Sequence, residues 1–570
     1  MAKFKDDYQD AKLHEFHLKE EEDLVQVLAE TKYNLPYIDL NQVFIENAAL
    51  EVVPEKLAKE AMVGPFHIKG KSIDLAVRSP HFPETLALVK VLEKQGFFPN
   101  LFMASTKSIA KVHLRYEEIS LSKNSSAGSL EIHSESLESL KEKTKTLSSA
   151  RTAIQEIVDG GGVSTVSSLL EAILAASIGL GASDIHVEPE EDEIKLRFRI
   201  DGVLQELVSF PQKMFKLLSA RIKLLSGMKI TVSNKNQDGR FSIIIDNAEI
   251  NIRASAIPGA YGESIVLRLL DPRNIKTGME SLGMDPFLLE RVLKEITKPN
   301  GLIILTGPTG SGKTTSLYSF LQKIFSTEKK IITIEDPIEY HLPGITQTQT
   351  NKKKGYTFLE GLRSALRQDP DVIMVGEIRD GETAKIAIES ALTGHIVFST
   401  LHTNNAAGAI PRLIDLGVNA KTIPSALSLA IAQRLVRVLY PETKKSYSPT
   451  EEEHAKILNV LKHGISQGKD FSKYGIDISL VEKKGYVLFK PVPSEIAPTG
   501  YKGRLGVFEA VAADEEIEKI IPTNPSEREI REVAAKQGFL TMQEDGVIKS
   551  LKGITSIAEV ERSVDLSEVY

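Results

Sequence analysis

The chain has 570 residues, is 42% hydrophobic and 26% charged, carries a net charge of −7 and contains no cysteine. That length implies several domains, the acidic balance gives no general reason to bind nucleic acid or an anionic membrane surface, and the missing cysteines remove disulfides, catalytic thiols and thiolate zinc sites. The amino terminus lacks the apolar core of a signal peptide and no run of about 18 uncharged apolar residues occurs, so the expectation is a cytoplasmic protein that meets a membrane only through partners.

In chain order, residues 1–118 mix helical and strand patterns around turn signals at Pro36, Pro54, Gly64, Pro65 and Pro80, which predicts a small α/β domain. The stretch 119–160 follows, and its core at 121–149 is rich in Ser, Glu and Lys. It reads as a flexible tether, with a charged helix as the alternative. After the glycines 160–162 a second domain is expected over 161–280. Leu169, Leu170, Ile173, Leu174 and Ile178 recur at helical spacing, and Gly181 can stop that helix. The pattern then changes to period two over Glu193–Ile200, with Arg197 and Arg199 on the solvent side, and Asp201-Gly202 signals a tight hairpin. Two further strand-like runs, 249–254 and 264–270, predict a sheet carrying helices on one side. Over 281–440, short apolar runs at 302–305, 331–334, 372–375 and 396–398 alternate with helical segments, the pattern of a parallel, crossover-connected sheet. Residues 441–498 are mixed, and 499–570 end in helical segments joined by Gly538, Gly546 and Gly553.

The run 302–305 leads into Gly307, Pro308, Thr309, Gly310, Ser311, Gly312, Lys313, Thr314 and Thr315, a match to G-x-x-x-x-G-K-[ST] followed by a helix-compatible stretch. Glycines let backbone N–H groups close around phosphates, and the helix amino terminus adds positive potential. Lys313 can reach the β- and γ-phosphates, Thr314 offers a hydroxyl to magnesium, and Thr315 is a further phosphate contact. Three other strands end in chemistry: Glu335, Asp336 and Glu339 after the second run, Glu377 and Arg379 after the third, and His402 after the fourth. Ligands bind beyond the carboxyl ends of such strands, so these groups converge on the phosphate loop. Singly, Asp-Pro-Ile-Glu is also an ordinary turn and a lone histidine is commonly structural. In the third run a single carboxylate, Glu377, closes the strand to coordinate magnesium or its waters, leaving Glu339 available as a base. Arg268 interrupts the apolar strand 265–270, where a charge calls for an anion or a salt bridge.

The blocks GPTGSGKTT, TIEDPIEY, LRQDPDVIMVGEIRD and TGHIVFSTLHTNNA, in this order, resemble the type II secretion and type IV pilus assembly ATPases. The similarity continues through GASDIHVEP, LRFRIDGVLQ, QDGR, GESIVLRLLD and GYKGRLGVFEA, and YNLPYIDL and VVPEKLAKE resemble the amino-terminal module of the longer members. The resemblance implies a RecA-like parallel-sheet ATPase core at 281–440, a PAS-like central domain before it and a separate α/β amino-terminal domain. It implies ATP and Mg2+ as ligands. Glu339 is to polarise the attacking water, Glu377 is to be the second-motif carboxylate, and His402 is to sense the γ-phosphate. Arg253 and Arg268 of the central domain, with Arg367 and Arg379 of the motor domain, are to close over the nucleotide. A homohexamer, a polytopic inner-membrane platform protein and a membrane-associated partner for the amino-terminal domain are the implied partners. The work would be pilus assembly or protein secretion, with a nucleic-acid translocase and a non-hydrolysing ATP-binding scaffold as rival readings. Two departures matter. Many members carry four cysteines on a zinc-binding insertion that corresponds to 441–498; none is present, so no zinc is expected. The RLG-led leucine repeat with which some relatives grip cyclic dinucleotide is also missing, so no such binding is expected, and no nucleic acid either.

Overall fold

The computed structural model describes residues 22, 24–40, 43, 45–123, 129–130, 134–160, 165–245, 248–275 and 278–567. It divides into two compact units, Met1–Ser129 and Leu130–Tyr570. In the first, strands β1 (Val63–Lys69), β2 (Ser72–Val77) and β3 (Phe98–Met103) form a sheet in that order, with α1 (Pro83–Lys94) leading into β3 and α2 (Thr106–Lys123) following it. Leu88 and Leu92 of α1 and Ile109 and Val112 of α2 bury against Ile73 and Leu75 of β2.

The second unit opens with α3 (Ser134–Lys143), α4 (Leu147–Asp159) and α5 (Thr165–Gly179). Here the tether reading fails for 134–159. Leu137, Leu147, Ala150 and Ile154 are buried in one core with α5 and the central sheet, and Thr146 caps α4 reciprocally with Ser149. The segment is polar on average because only a narrow stripe faces inward, and composition averages over both faces of a helix. The rest of that stretch, 124–128 and 131–133, and glycines 161–162 lie outside the described residues.

The central sheet is built from β4 (Ala182–Pro189), β5 (Ile194–Ile200), β6 (Val203–Phe210), β7 (Gln237–Ile245), β8 (Ala248–Gly259) and β9 (Gly262–Leu270), with α6 (Gln212–Leu225) between β6 and β7. Its long strands lie in the order β7-β8-β9-β4-β5-β6, all antiparallel. Ile200 pairs with Val203 across Asp201 (φ 49°) and Gly202 (φ 84°), the two left-handed residues that a two-residue hairpin requires. Ile185, Leu196, Ile252 and Leu267 fill the helix-covered face. Alternation puts Asp184, Arg197, Arg199, Arg253 and Arg268 on the other.

The motor domain runs α7 (Pro286–Ile296), β10 (Gly301–Thr306), α8 (Lys313–Ile324), β11 (Ile331–Glu335), β12 (Thr346–Gln349), α9 (Phe358–Leu366), β13 (Val372–Val375), α10 (Gly381–Leu392), β14 (Ile396–Leu401) and β15 (Leu427–Leu439). Every residue of β10, β11, β13 and β14 is buried, as expected of parallel strands covered on both faces. Leu302 and Ile304 belong to one core, and Ile303 and Leu305 to the core on the opposite face. The order is β12-β11-β13-β14-β10-β15-β16, where β16 (Tyr501–Ala512) follows α11 (Glu451–Ser466) and pairs antiparallel with β15. The region 499–570 is therefore not purely helical: the strand Tyr501–Ala512 closes the sheet edge before α12 (Glu527–Ala534), α13 (Met542–Leu551) and α14 (Ile557–Ser563). Gly546 is not a joint either. It lies within α13, where a Cβ would come 2.5 Å from Val560, so it lets α14 pack closely. Residues 441–498 share a core with these last helices, through Ile457, Leu461 and Phe471 against Val547, Ile548 and Val560.

Ile154 is wholly buried, so Ile154→Ala should destabilise the second unit by about 2–5 kcal/mol. Urea denaturation of the full chain, with limited proteolysis at 134–159 as a second probe, checks this; a tether residue would leave both unchanged.

Candidate functional site

Beyond Thr306 the chain leaves β10 and turns into α8 through Gly307 (φ 141°), Gly310 (φ 80°) and Gly312 (φ 88°), conformations that only glycine adopts without strain. The loop is also packed from behind: a Cβ on Gly307 would lie 2.6 Å from the Gln433 carbonyl oxygen, and one on Gly312 would lie 2.8 Å from Gln433 Nε2. Pro308, Thr309 and Gly310 form its exposed tip, and Thr314 and Thr315 stand in the first turn of α8. Lys313 Nζ folds back to donate to the carbonyls of Gly307 (2.8 Å) and Pro308 (3.0 Å). Burial pushes the Lys313 amine below its ordinary pKa, with Glu377 opposing that shift and Arg434 reinforcing it. The Ser311 hydroxyl is buried without a partner. A desolvated ammonium, an orphaned hydroxyl and the free amides of a helix start together fit a phosphate-sized anion.

At the end of β13, Gly376 N donates to Ile334 O (2.8 Å) and Ile378 N to Thr400 O (3.0 Å), so backbone pairing carries Glu377 past the strand in a fixed position. Its two oxygens are engaged separately, Oε2 by Arg379 Nη2 at 2.8 Å and Oε1 by His402 Nε2 at 3.2 Å. Glu377, Arg379 and His402, from the ends of two of the three strands, are thus in direct contact. Glu335 does not join them: it is buried, held by Thr333, Tyr318 and Gln347, and burial raises its pKa. Among the described residues no group of three or more metal-ligating side chains is present. Magnesium on a nucleotide needs no such cage, since phosphate oxygens and water supply most of its ligands and a hydroxyl such as that of Thr314 can complete them.

Glu339 is met from the central sheet. Arg253 Nη1 donates to its Oε2 at 3.1 Å, and Arg253 Nη2 to the Ile338 carbonyl. Arg268 is paired in register with Arg253 on the neighbouring strand, and its Nε donates to Asp184 Oδ1 at 2.9 Å. Asp184 is only 4% exposed and also faces Arg199 Nε at 3.4 Å and the Ser183 hydroxyl at 2.8 Å. Arg268 thus has the salt bridge foreseen as one alternative, yet its side chain remains 57% exposed, with Glu339 among the charges that act on it. Arg197 and Arg199, read as solvated, are ion-paired to Glu188 and Asp184. Arg367 stands apart: at the end of α9, it donates to Ser364 at 3.0 Å, and among the described contacts none joins it to the cluster.

Sequence reasoning missed Gln433 and Arg434. Gln433 accepts the Ser316 hydroxyl of α8 at 2.8 Å, and Arg434 donates to the carbonyls of Gln433 (3.1 Å) and Asn404 (2.8 Å), tying the strand that packs behind the phosphate loop to the segment after His402. Burial holds the Arg434 guanidinium below its ordinary pKa. The available signal was a Gln-Arg pair inside the otherwise apolar strand LSLAIAQRLVRVL.

Residues 160–562 match the family described as type II/IV secretion system protein. The chain is 40% identical over 410 residues to type II secretion system protein E of Xanthomonas campestris, spanning 72% of this chain and 69% of that protein. It is 36% identical over 537 residues to the type IV pilus assembly ATPase PilB of Pseudomonas aeruginosa, spanning 94% and 89%. Among solved structures, the ATPase DotB of Yersinia pseudotuberculosis superposes with a TM-score of 0.50 at 19% identity over 70% of this chain and 93% of that one, a likeness of fold.

Two outcomes are expected. Arg253→Ala should lower ATP turnover about 100-fold while weakening nucleotide binding far less, as read by steady-state hydrolysis beside equilibrium titration. Because burial lowers the Lys313 pKa and a bound polyanion must raise it again, nucleotide binding in alkaline buffer should take up protons; calorimetry in buffers of different ionisation enthalpy reads the sign.

Proposed function

Because the chain belongs to the type II/IV secretion system family and is an ATPase, we propose that it is a cytoplasmic ring motor, a homohexamer that couples ATP hydrolysis to movement between its central and motor domains. The observation that carries this reading is the reach of Arg253 from the central sheet to Glu339 and Ile338 in the motor domain. A nucleotide site closed by two domains converts occupancy into their relative position.

In this reading the amides of 307–312 hold the phosphates, and Lys313 exchanges the carbonyls of Gly307 and Pro308 for the β- and γ-oxygens. Thr314 and, through water, Glu377 would hold magnesium, which when bound would supply positive charge against the phosphates. Glu339 takes a proton from water as its oxygen bonds to the γ-phosphorus and the bond to the ADP oxygen breaks. Arg253, Arg268 and Arg379 balance the charge on the departing oxygens. His402, bonded to the same Glu377 that faces Arg379, registers loss of the γ-phosphate and passes it to the segment that Arg434 holds.

The output is pilin polymerisation at a type IV pilus machine, through a polytopic platform protein in the inner membrane and with a membrane-associated partner on the amino-terminal unit. Coverage supports this choice over secretion: the pilus assembly relative aligns with 94% of the chain, whereas the secretion relative aligns with 72%. Among the described residues no helix is long and apolar enough to cross a membrane, which suits docking through partners.

Lys313→Ala should keep the far-ultraviolet circular dichroism of the wild type and lose at least about 100-fold in turnover; wild-type hydrolysis would remove the phosphate-loop assignment. Expressed in a pilus-bearing host that lacks its own assembly ATPase, the chain should restore surface pili. Restored export of a secretion substrate in a secretion-deficient host, without pili in the first, would move it to the secretion branch, and strong stimulation of hydrolysis by nucleic acid with a steep salt dependence would favour a translocase.

A further inference from the structure

Glu339 lies in the stretch 336–345 between β11 and β12, where neither helix nor strand supplies backbone hydrogen bonds. A side chain that acts on a reacting water tolerates misplacement of less than about 1 Å, so this irregular loop has to be held. Arg253 grips it from one side, but that residue belongs to the central domain and its grip lasts only while the domains are closed.

On the other side stands Gln347 of β12. Its Oε1 accepts the Leu342 N–H at 2.6 Å and its Nε2 donates to the Tyr340 carbonyl at 2.8 Å, so one side-chain amide imitates a rung of β-ladder for the loop that carries Glu339. The same Nε2 lies 3.1 Å from Glu335 Oε1. Glu335 in turn accepts the Thr333 hydroxyl at 2.6 Å and the hydroxyl of Tyr318, which belongs to the helix that Lys313 opens. The Tyr318 ring is buried and meets the Tyr340 ring edge-on, 6.4 Å between centroids, and the backbone amides of Glu339 and Tyr340 act on its oxygen. Two turns further along, Phe325 packs against Gly344 so closely that a Cβ there would lie 2.3 Å from the ring. The loop is therefore seated along α8 from Tyr318 to Phe325. A polar cluster in a core is costly unless every member is bonded, and here the bonds join β11 and β12 to the loop and to the helix.

The geometry points to Gln347 and Tyr318 as positioning residues that hold Glu339 in register with Lys313 independently of Arg253. The hydrolytic carboxylate and the phosphate-binding lysine are thereby carried on one rigid body, and domain closure delivers only the arginines. This inference rests on the reading of Glu339 as the group that polarises the attacking water.

The test uses the full chain, steady-state hydrolysis and binding of a non-hydrolysable ATP analogue. Tyr318→Phe removes one oxygen and keeps the ring; Gln347→Leu removes the amide and keeps the volume. Each should lower kcat about tenfold while analogue affinity stays within about twofold. In a Glu339→Gln background, with residual turnover followed by radiolabelled ATP, each should cost less than about twofold, because a misplaced group that is already disabled can lose little more. Wild-type kcat in both variants, equal losses of kcat in both backgrounds, or losses of kcat matched by losses of affinity would each overturn the clasp. If Gln347→Leu fails to fold, Tyr318→Phe decides alone. Wild-type turnover in Glu339→Gln would instead overturn the reading beneath it, whereas an inactive Glu339→Gln beside fully active clasp variants overturns the clasp only.

Discussion

Arg253 leaves the central sheet and ends 3.1 Å from Glu339, a residue of the motor domain. That span joins the central sheet to the irregular loop after β11. The motor domain supplies a phosphate loop, a strand-end carboxylate with its own Arg379, and a histidine, and the central domain adds Arg253 on β8 with Arg268 beside it on β9. Arg268 is held within the central domain itself. Asp184, nearly inaccessible to solvent, fixes Arg268 and Arg199 together, and a buried carboxylate without such partners would be costly.

The motor sheet imposes the complementary constraint. With helices over both faces, its strands have no exposed side, and polar chemistry has room only where strands end. Glu377, His402 and the loop 307–312 accordingly crowd one edge. The antiparallel strand β16 then covers β15, so the Gln433-Arg434 pair lies between neighbouring strands, where Gln433 packs behind Gly307 and Gly312 and accepts from Ser316 of α8, and Arg434 donates to the Asn404 carbonyl. Movement at His402 is therefore mechanically close to the backbone that holds phosphate.

Packing replaces other devices elsewhere in the second unit. The insertion at 441–498 has no cysteine, and it is held to the carboxyl-terminal helices by a shared apolar core and by Lys469 paired with Glu544 at 2.7 Å, their side chains 5% and 2% exposed. Such a pair adds little net stability, but removal of one partner costs about 3–5 kcal/mol. Its contribution is to specify where the insertion sits. The helices at 134–159 show the same economy in reverse: a few apolar side chains at helical spacing suffice to dock a segment whose average composition is that of a solvated linker.

From the residues alone came the features that depend on local order along the chain. The glycines of the phosphate loop, the period of the strands, the Asp201-Gly202 turn and the carboxylates at strand ends are all written in short stretches, because φ, alternation and strand polarity are properties of neighbours in sequence. The blocks that carry the family resemblance are short stretches of the same kind. Partners distant in sequence were decided only by the tertiary structure. It separated Glu335 from Glu339, although the two stand a few residues apart, because one is enclosed by Tyr318 and Gln347 and the other is open to Arg253. It left Arg367 at the end of its own helix and brought in Arg434, since burial and facing direction depend on what packs across the sheet. It also folded 134–159 onto the central core, because whether a narrow apolar stripe is buried depends on the surface it meets, and that surface is made by residues far along the chain.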